Sequence, residues 1–143
     1  MAQKITSILL VDDDQDDQLL FREALLEANA AIKYLCASNG NDALEKLNLG
    51  SIPVPDLIFM DVNMPKMNGI DCLKELQKSD KFKNIPVIMY STSCSPDYQK
   101  QCFALGAVDY MEKPNDFLQL CAKIKAITAK GLSLADNDMP LTL

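Results

Sequence analysis

Short apolar runs recur along this chain, and each ends on a polar cluster. Residues 8–11 precede Asp12-Asp13-Asp14, 57–60 precede Asp61, 87–90 precede Ser91-Thr92, and 108–111 precede Glu112-Lys113-Pro114. Runs this short, bounded by turn residues, read as strands buried on both faces, as in a parallel sheet. The segments between them change period. Phe21, Ala24, Leu25 and Ala28 recur at helical spacing, as do Ile70, Leu73 and Leu76, and then Phe117, Leu120, Cys121 and Ile124. The spacing predicts strands over 5–11, 32–37, 56–60, from Pro86 onward, and 107–112. Helices are predicted over 14–28, 41–49, after Gly69, from Ser95-Pro96 as cap and first turn to Gly106 with Tyr98, Cys102 and Leu105 inward, and over about 115–129.

Five βα units with short connections imply an α/β fold, a doubly wound five-stranded parallel sheet with helices on both faces. Its simplest strand order is 2-1-3-4-5, the flavodoxin-like arrangement. In such sheets the residues just past each strand converge on one edge, where ligands bind. The acidic run, Asp61, Ser91 and Lys113 would therefore meet there. Residues 1–131 are expected to form one domain and 132–143 a flexible tail.

Charge narrows the partners. Twenty Asp and Glu against 14 Lys and Arg, with no basic stripe, argue against direct nucleic-acid binding. No run reaches membrane-spanning length and no apolar signal segment follows Met1, so a cytoplasmic chain is expected. Five scattered cysteines without a C-x-x-C spacing fit reduced thiols. Histidine is absent, which removes His-based triads and a phosphohistidine role.

Carboxylates clustered at one strand end repel one another unless a cation offsets them, and Mg²⁺, hard and oxygen-preferring, suits such a site. The competing reading makes Asp12, Asp13 and Asp14, with Asp16 and Asp17, a cap and favourable charge at a helix amino terminus. Asp61 can be a covalent phosphoryl acceptor, or a structural Asp in the turn that follows it. Lys113 can pair with Asp61 in the empty site and with a phosphoryl oxygen in the filled one, or be an ordinary surface Lys. A cis peptide at Pro114 would aim it. Ser91 offers a hydroxyl to a bound phosphate, or is a satisfied strand-end group.

Taken in order, Leu-Val-Asp-Asp-Asp, Met-Asp-Val-Asn-Met-Pro-Lys-Met-Asn-Gly, Pro-Val-Ile-Met-Tyr-Ser-Thr and Tyr-Met-Glu-Lys-Pro resemble the receiver domain of two-component response regulators over residues 5–128. The resemblance implies a phosphorelay protein of the stand-alone type. Asp61 would be the phosphoacceptor, Lys113 and Ser91 would contact the phosphoryl group, and Tyr110 would change rotamer with Ser91 on activation. Asp13 would be a direct Mg²⁺ ligand beside Asp61 and the backbone carbonyl of Asn63, with Asp12 acting largely through water. The side chains of Asn63 and Ser93 would flank the site and influence phosphoryl lifetime. Thr92 departs from the small residue usual after the hydroxyl position, which puts access to Asp61 in question. The phosphoryl donor would be a sensor histidine kinase, a histidine phosphotransfer protein or a small acyl phosphate. Output would pass through protein contacts or a homodimer at a face carrying Gln99, Lys100, Phe103 and the outer side of 115–130, rather than through DNA. Two other readings use a related fold. An aspartyl phosphatase needs a second acid where Asn63 stands, and a flavodoxin needs hydroxyl and Gly donors where the first loop is acidic. A non-phosphorylated interaction module would not need the joint set Asp61, Ser91 and Lys113.

Overall fold

Alternation of strand and helix is complete along the chain. The elements are β1 (Ser7–Val11), α1 (Gln15–Ala28), β2 (Lys33–Ala37), α2 (Gly40–Leu49), β3 (Leu57–Met60), α3 (Gly69–Lys78), β4 (Val87–Ser91), α4 (Pro96–Ala104), β5 (Asp109–Glu112) and α5 (Phe117–Lys130). This computed structural model describes residues 4–64, 67–92 and 95–130. Ser93 and the tail proposed over 132–143 lie outside the described residues.

All four strand pairings are parallel, and the order is β2-β1-β3-β4-β5, as the sequence predicts. Every residue of β1, β3 and β4 is buried, which explains why these strands read as unbroken apolar runs. Successive side chains leave the sheet on opposite faces. Leu9, Val11, Met60, Met89 and Tyr110 pack with Leu47, Leu73 and Cys102 from α2, α3 and α4. On the other face Ile8, Leu10, Phe59, Tyr90 and Met111 pack with Phe21, Leu25, Leu120 and Ile124 from α1 and α5. Phe21 anchors that layer, its ring 5.0 Å from Phe59 and 5.6 Å from Tyr90 in edge-on contacts.

Local chemistry sets the helix starts. Asp14, Asn39 and Asn68 cap α1, α2 and α3, each accepting the backbone N–H three residues on. At α4 the expectation of a Ser95 cap fails: Ser95 holds the N-cap position but its side chain makes no capping hydrogen bond. Pro96 at the first helical position supplies the φ instead. Tyr98, expected inward, is exposed, whereas Cys102 is buried and Leu105 partly so. No cis peptide occurs among the described residues, so the bond before Pro114 is trans and the expected cis geometry is not what aims Lys113.

One cap lies close to the site. Asn68 Oδ1 accepts from Asp71 N at 2.9 Å and fixes the start of α3 just after the Asp61 loop. Asn68→Ala should lower unfolding free energy in urea by about 1 kcal/mol, and Asn68→Gly by only a few tenths. Equal losses in the two variants would show that the cap bond is not what Asn68 contributes.

Candidate functional site

The parallel ladders run one residue past the strands, and that extension builds the site. Asp12 N donates to Ala37 O at 3.1 Å and Asp61 N to Val11 O at 2.9 Å, so the residues following β1 and β3 lie side by side. Lys113 N donates to Ser91 O at 2.8 Å, which ties the end of β5 to the end of β4. Asp12 and Asp61 are buried and Asp13 is exposed, and one carboxylate oxygen from each lies within 4.8 Å of the others. These are the three acids expected there.

The competing roles of the acidic run divide between its members. Asp14 is the helix cap, its Oδ1 accepting from Asp17 N at 3.0 Å. Asp12 belongs to the site: Oδ1 accepts from Asp14 N at 3.0 Å and Oδ2 meets Lys113 Nζ at 2.9 Å. Gln18 reaches back from α1 and donates to the Asp12 carbonyl at 2.5 Å.

Lys113 is no ordinary surface lysine. Only 9% of its side chain is exposed, and its ammonium lies 2.9 Å from Asp12, 2.8 Å from Asp17 and 3.5 Å from Asp61. Beneath it, the Tyr90 ring centroid is 5.2 Å from Nζ. Sequence reading placed Lys113 here but missed Asp17 and Tyr90 as its partners. Asp17 lies in the first turn of α1, just after the Asp14 cap, which places its carboxylate beside Lys113.

Burial dominates the electrostatics. It pushes the Asp61 carboxyl up to about 6, helped by the charges of Asp12 and Asp13 and opposed by Lys113 and the Asn63 N–H. Asp12 is likewise raised by burial, against the Asp14 N–H and Lys113. For Lys113 burial works the other way, yet the hydrogen bonds to Asp17 and Asp12 outweigh it and hold the ammonium above its ordinary range. Three carboxylates thus pair with one ammonium, and a fourth, Asp13, adjoins two of them. Such an excess of negative charge, with Asp12 and Asp61 buried, suits a hard divalent cation, and the all-oxygen donor set fits one.

Above these groups opens a cleft of about 520 Å³, lined by Asp13, Asp17, Asp61, Asn63, Thr92 and Lys113 among others. Asn63 N donates to Asp61 Oδ1 at 3.3 Å, placing that loop over the carboxylate. Ser91 is buried at the end of β4, and Thr92 stands at the cleft wall. Tyr110 is fully buried in the layer under α4. Gly69 was read only as a helix start. A Cβ on it would fall 2.1 Å from the Asp61 carbonyl oxygen, and its N–H donates to Val62 O at 2.9 Å. The missing side chain lets α3 close against the backbone of the candidate acceptor.

Residues 8–125 match the model of the response regulator receiver domain. Two-component response regulator ORR6 of Oryza sativa subsp. japonica is 32% identical over 127 residues, covering 87% of this chain and 74% of the relative. Transcriptional regulatory protein CpxR of Escherichia coli K12 is 41% identical over 127 residues, 89% of this chain, but the chain spans only 51% of that relative. Among solved structures, the phosphorylated cyanobacterial phytochrome response regulator RcpA aligns with a TM-score of 0.79 and 30% identity, covering 86% of this chain and 91% of RcpA. The Mn²⁺-bound form of response regulator Rcp1 aligns at 0.77 and 27% identity, covering 87% and 92%. By its matched motifs, its strand order and these likenesses, the chain belongs to the response regulator receiver domain family of two-component signalling proteins.

Proposed function

We propose that this chain is a stand-alone response regulator that accepts a phosphoryl group on Asp61 in a Mg²⁺-dependent reaction and signals through protein contacts. The observation that carries this is the placing of the buried Asp61 carboxylate beside Asp12 and Asp13, 3.5 Å from Lys113, under an open cleft. An Asp61 oxygen attacks phosphorus as the bond from phosphorus to the donor breaks, and the leaving group departs with that electron pair. Lys113 offsets charge on the phosphoryl oxygens, and the Ser91 hydroxyl donates to one of them. Asp12, Asp13, Asp61 and the Asn63 carbonyl would hold the Mg²⁺, which when bound neutralises charge on the same oxygens. The manganese form of Rcp1 supports a divalent cation here.

With no histidine in the chain, a phosphohistidine donor must come from a partner, a sensor histidine kinase or a histidine phosphotransfer protein. The chain resets by hydrolysis of its own acyl phosphate and acts as a switch rather than a turnover enzyme. Exposed Phe103 on α4 and Leu118 on α5 support a protein-contact face there, for a partner or a second copy. No described helix is long and apolar enough to cross a membrane. Intact mass after incubation with Mg²⁺ and acetyl phosphate tests the reading. One added phosphoryl group, absent with EDTA, is expected; an unchanged mass in Mg²⁺ would refute it.

A further inference from the structure

Lys113 is held by more than the groups that phosphoryl transfer uses. Its ammonium has three N–H donors. One meets Asp12 at 2.9 Å and a second meets Asp17 at 2.8 Å, while Asp61 stands off at 3.5 Å. Asp17 belongs to the first turn of α1, whose start is fixed by the Asp14 cap, so this anchor is as rigid as the helix. Tyr90 closes the side beneath. The distances describe a lysine drawn away from the acceptor carboxylate, with Asp17 supplying the outward pull.

We propose that Asp17 is a positioning residue for phosphoryl transfer: its carboxylate holds Lys113 back from Asp61, leaving the acceptor oxygen open to attack and the ammonium at the distance where a phosphoryl oxygen arrives. The inference rests on the phosphoacceptor reading of Asp61. Without Asp17, Asp12 and Asp61 share the ammonium, and Lys113 closes onto Asp61. The attacking oxygen then carries a charge-assisted hydrogen bond that must break before each transfer. When Asp12 turns to a cation, Asp17 is the remaining acid among Lys113's three ion-pair partners that keeps the ammonium aimed, a preorganisation that costs nothing at the moment of reaction.

The test is the rate of Asp61 phosphorylation by acetyl phosphate in Mg²⁺, followed by intact mass, with a double-mutant cycle. Asp17→Asn should slow labelling by roughly three- to tenfold, the scale of one partly exposed charge-assisted hydrogen bond. Asp17→Glu should recover most of the loss. Glu23→Gln removes a charge from the exposed side of the same helix, away from the cleft and from the ion-pair partners of Lys113, and should label at the wild-type rate. In a Lys113→Met background, Asp17→Asn should have no further effect, because its action runs through Lys113. An Asp17→Asn rate equal to wild type, or the same loss in both backgrounds, would overturn the proposal. The Lys113 Cε resonance gives a readout without any donor: it should move in Asp17→Asn and stay in Glu23→Gln. If it stays in both, Asp17 does not hold Lys113 and this inference falls alone, whereas a wild-type chain that never labels removes the phosphoacceptor reading.

Discussion

Asp61→Asn should take up no phosphoryl group from acetyl phosphate in Mg²⁺, while remaining folded and, without metal, becoming more stable than the parent at pH 7. An amide nitrogen or oxygen cannot form the acyl phosphate, so labelling by intact mass should vanish rather than decline. The gain in stability follows from burial. The Asp61 carboxyl titrates at about 6 in the fold against 3.8 ordinarily, so between those values the folded chain holds a proton that the unfolded chain has released. Stability from this group is complete below about pH 4 and is lost as pH rises through 6. Asn is neutral throughout, so in EDTA the variant should gain about 1–3 kcal/mol at pH 7. That advantage should shrink toward zero at pH 4. Urea unfolding at the two pH values checks it, and equal differences at both would mean that the Asp61 charge is not the source.

Gly69→Ala should be the most damaging single-methyl change near the site. The new Cβ would lie 2.1 Å from Asp61 O, 2.9 Å from Asp61 C and 3.0 Å from Val62 Cα, and these are backbone atoms that no rotamer change can move aside. Overpacking of this kind costs about 3 kcal/mol, or roughly 10 °C in Tm for a domain of this size. Relief requires either α3 or the Asp61 loop to shift. Phosphorylation should therefore fall by at least tenfold, since a displacement of about 1 Å at a reacting group costs on the order of a hundredfold. A variant with parental Tm and labelling rate would show that the loop yields freely.

The fold was legible because its signals are redundant. Buried parallel strands leave unbroken apolar runs such as Leu57-Ile58-Phe59-Met60, and the helices between them keep their own apolar spacing, as at Ile70, Leu73 and Leu76. The principal site residues were legible because each lies at or just past the end of a strand, where chain order alone brings it to the sheet edge. What escaped depends on side-chain reach. Asp17 and Asp16 look alike in sequence, and only the phase of α1 against β5 decides that Asp17 meets Lys113. Tyr90 reads as one more strand apolar until Lys113 is seen above its ring. Gly69 carries no chemistry of its own, and its importance lies in how near the Asp61 carbonyl comes. Ser95 misled because a cap residue before Pro96 is a frequent pattern, yet the proline ring already sets that helix start. Tyr98 fits the inward stripe by count alone, but α4 is short and its wide outer face leaves the ring exposed.

Alternation along the fourth and fifth strands sends neighbouring residues to opposite layers. Tyr90 and Met111 face α1 and α5, whereas Met89 and Tyr110 face α2, α3 and α4. Lys113 rests over Tyr90, while Ser91, whose carbonyl holds the Lys113 backbone, pairs across the sheet beside the Tyr110 strand. A single chemical event at the edge therefore has two mechanical addresses, one in each layer. Under the proposed phosphorylation of Asp61, both layers would feel the change at once, which suits an output face that takes Phe103 from α4 and Leu118 from α5.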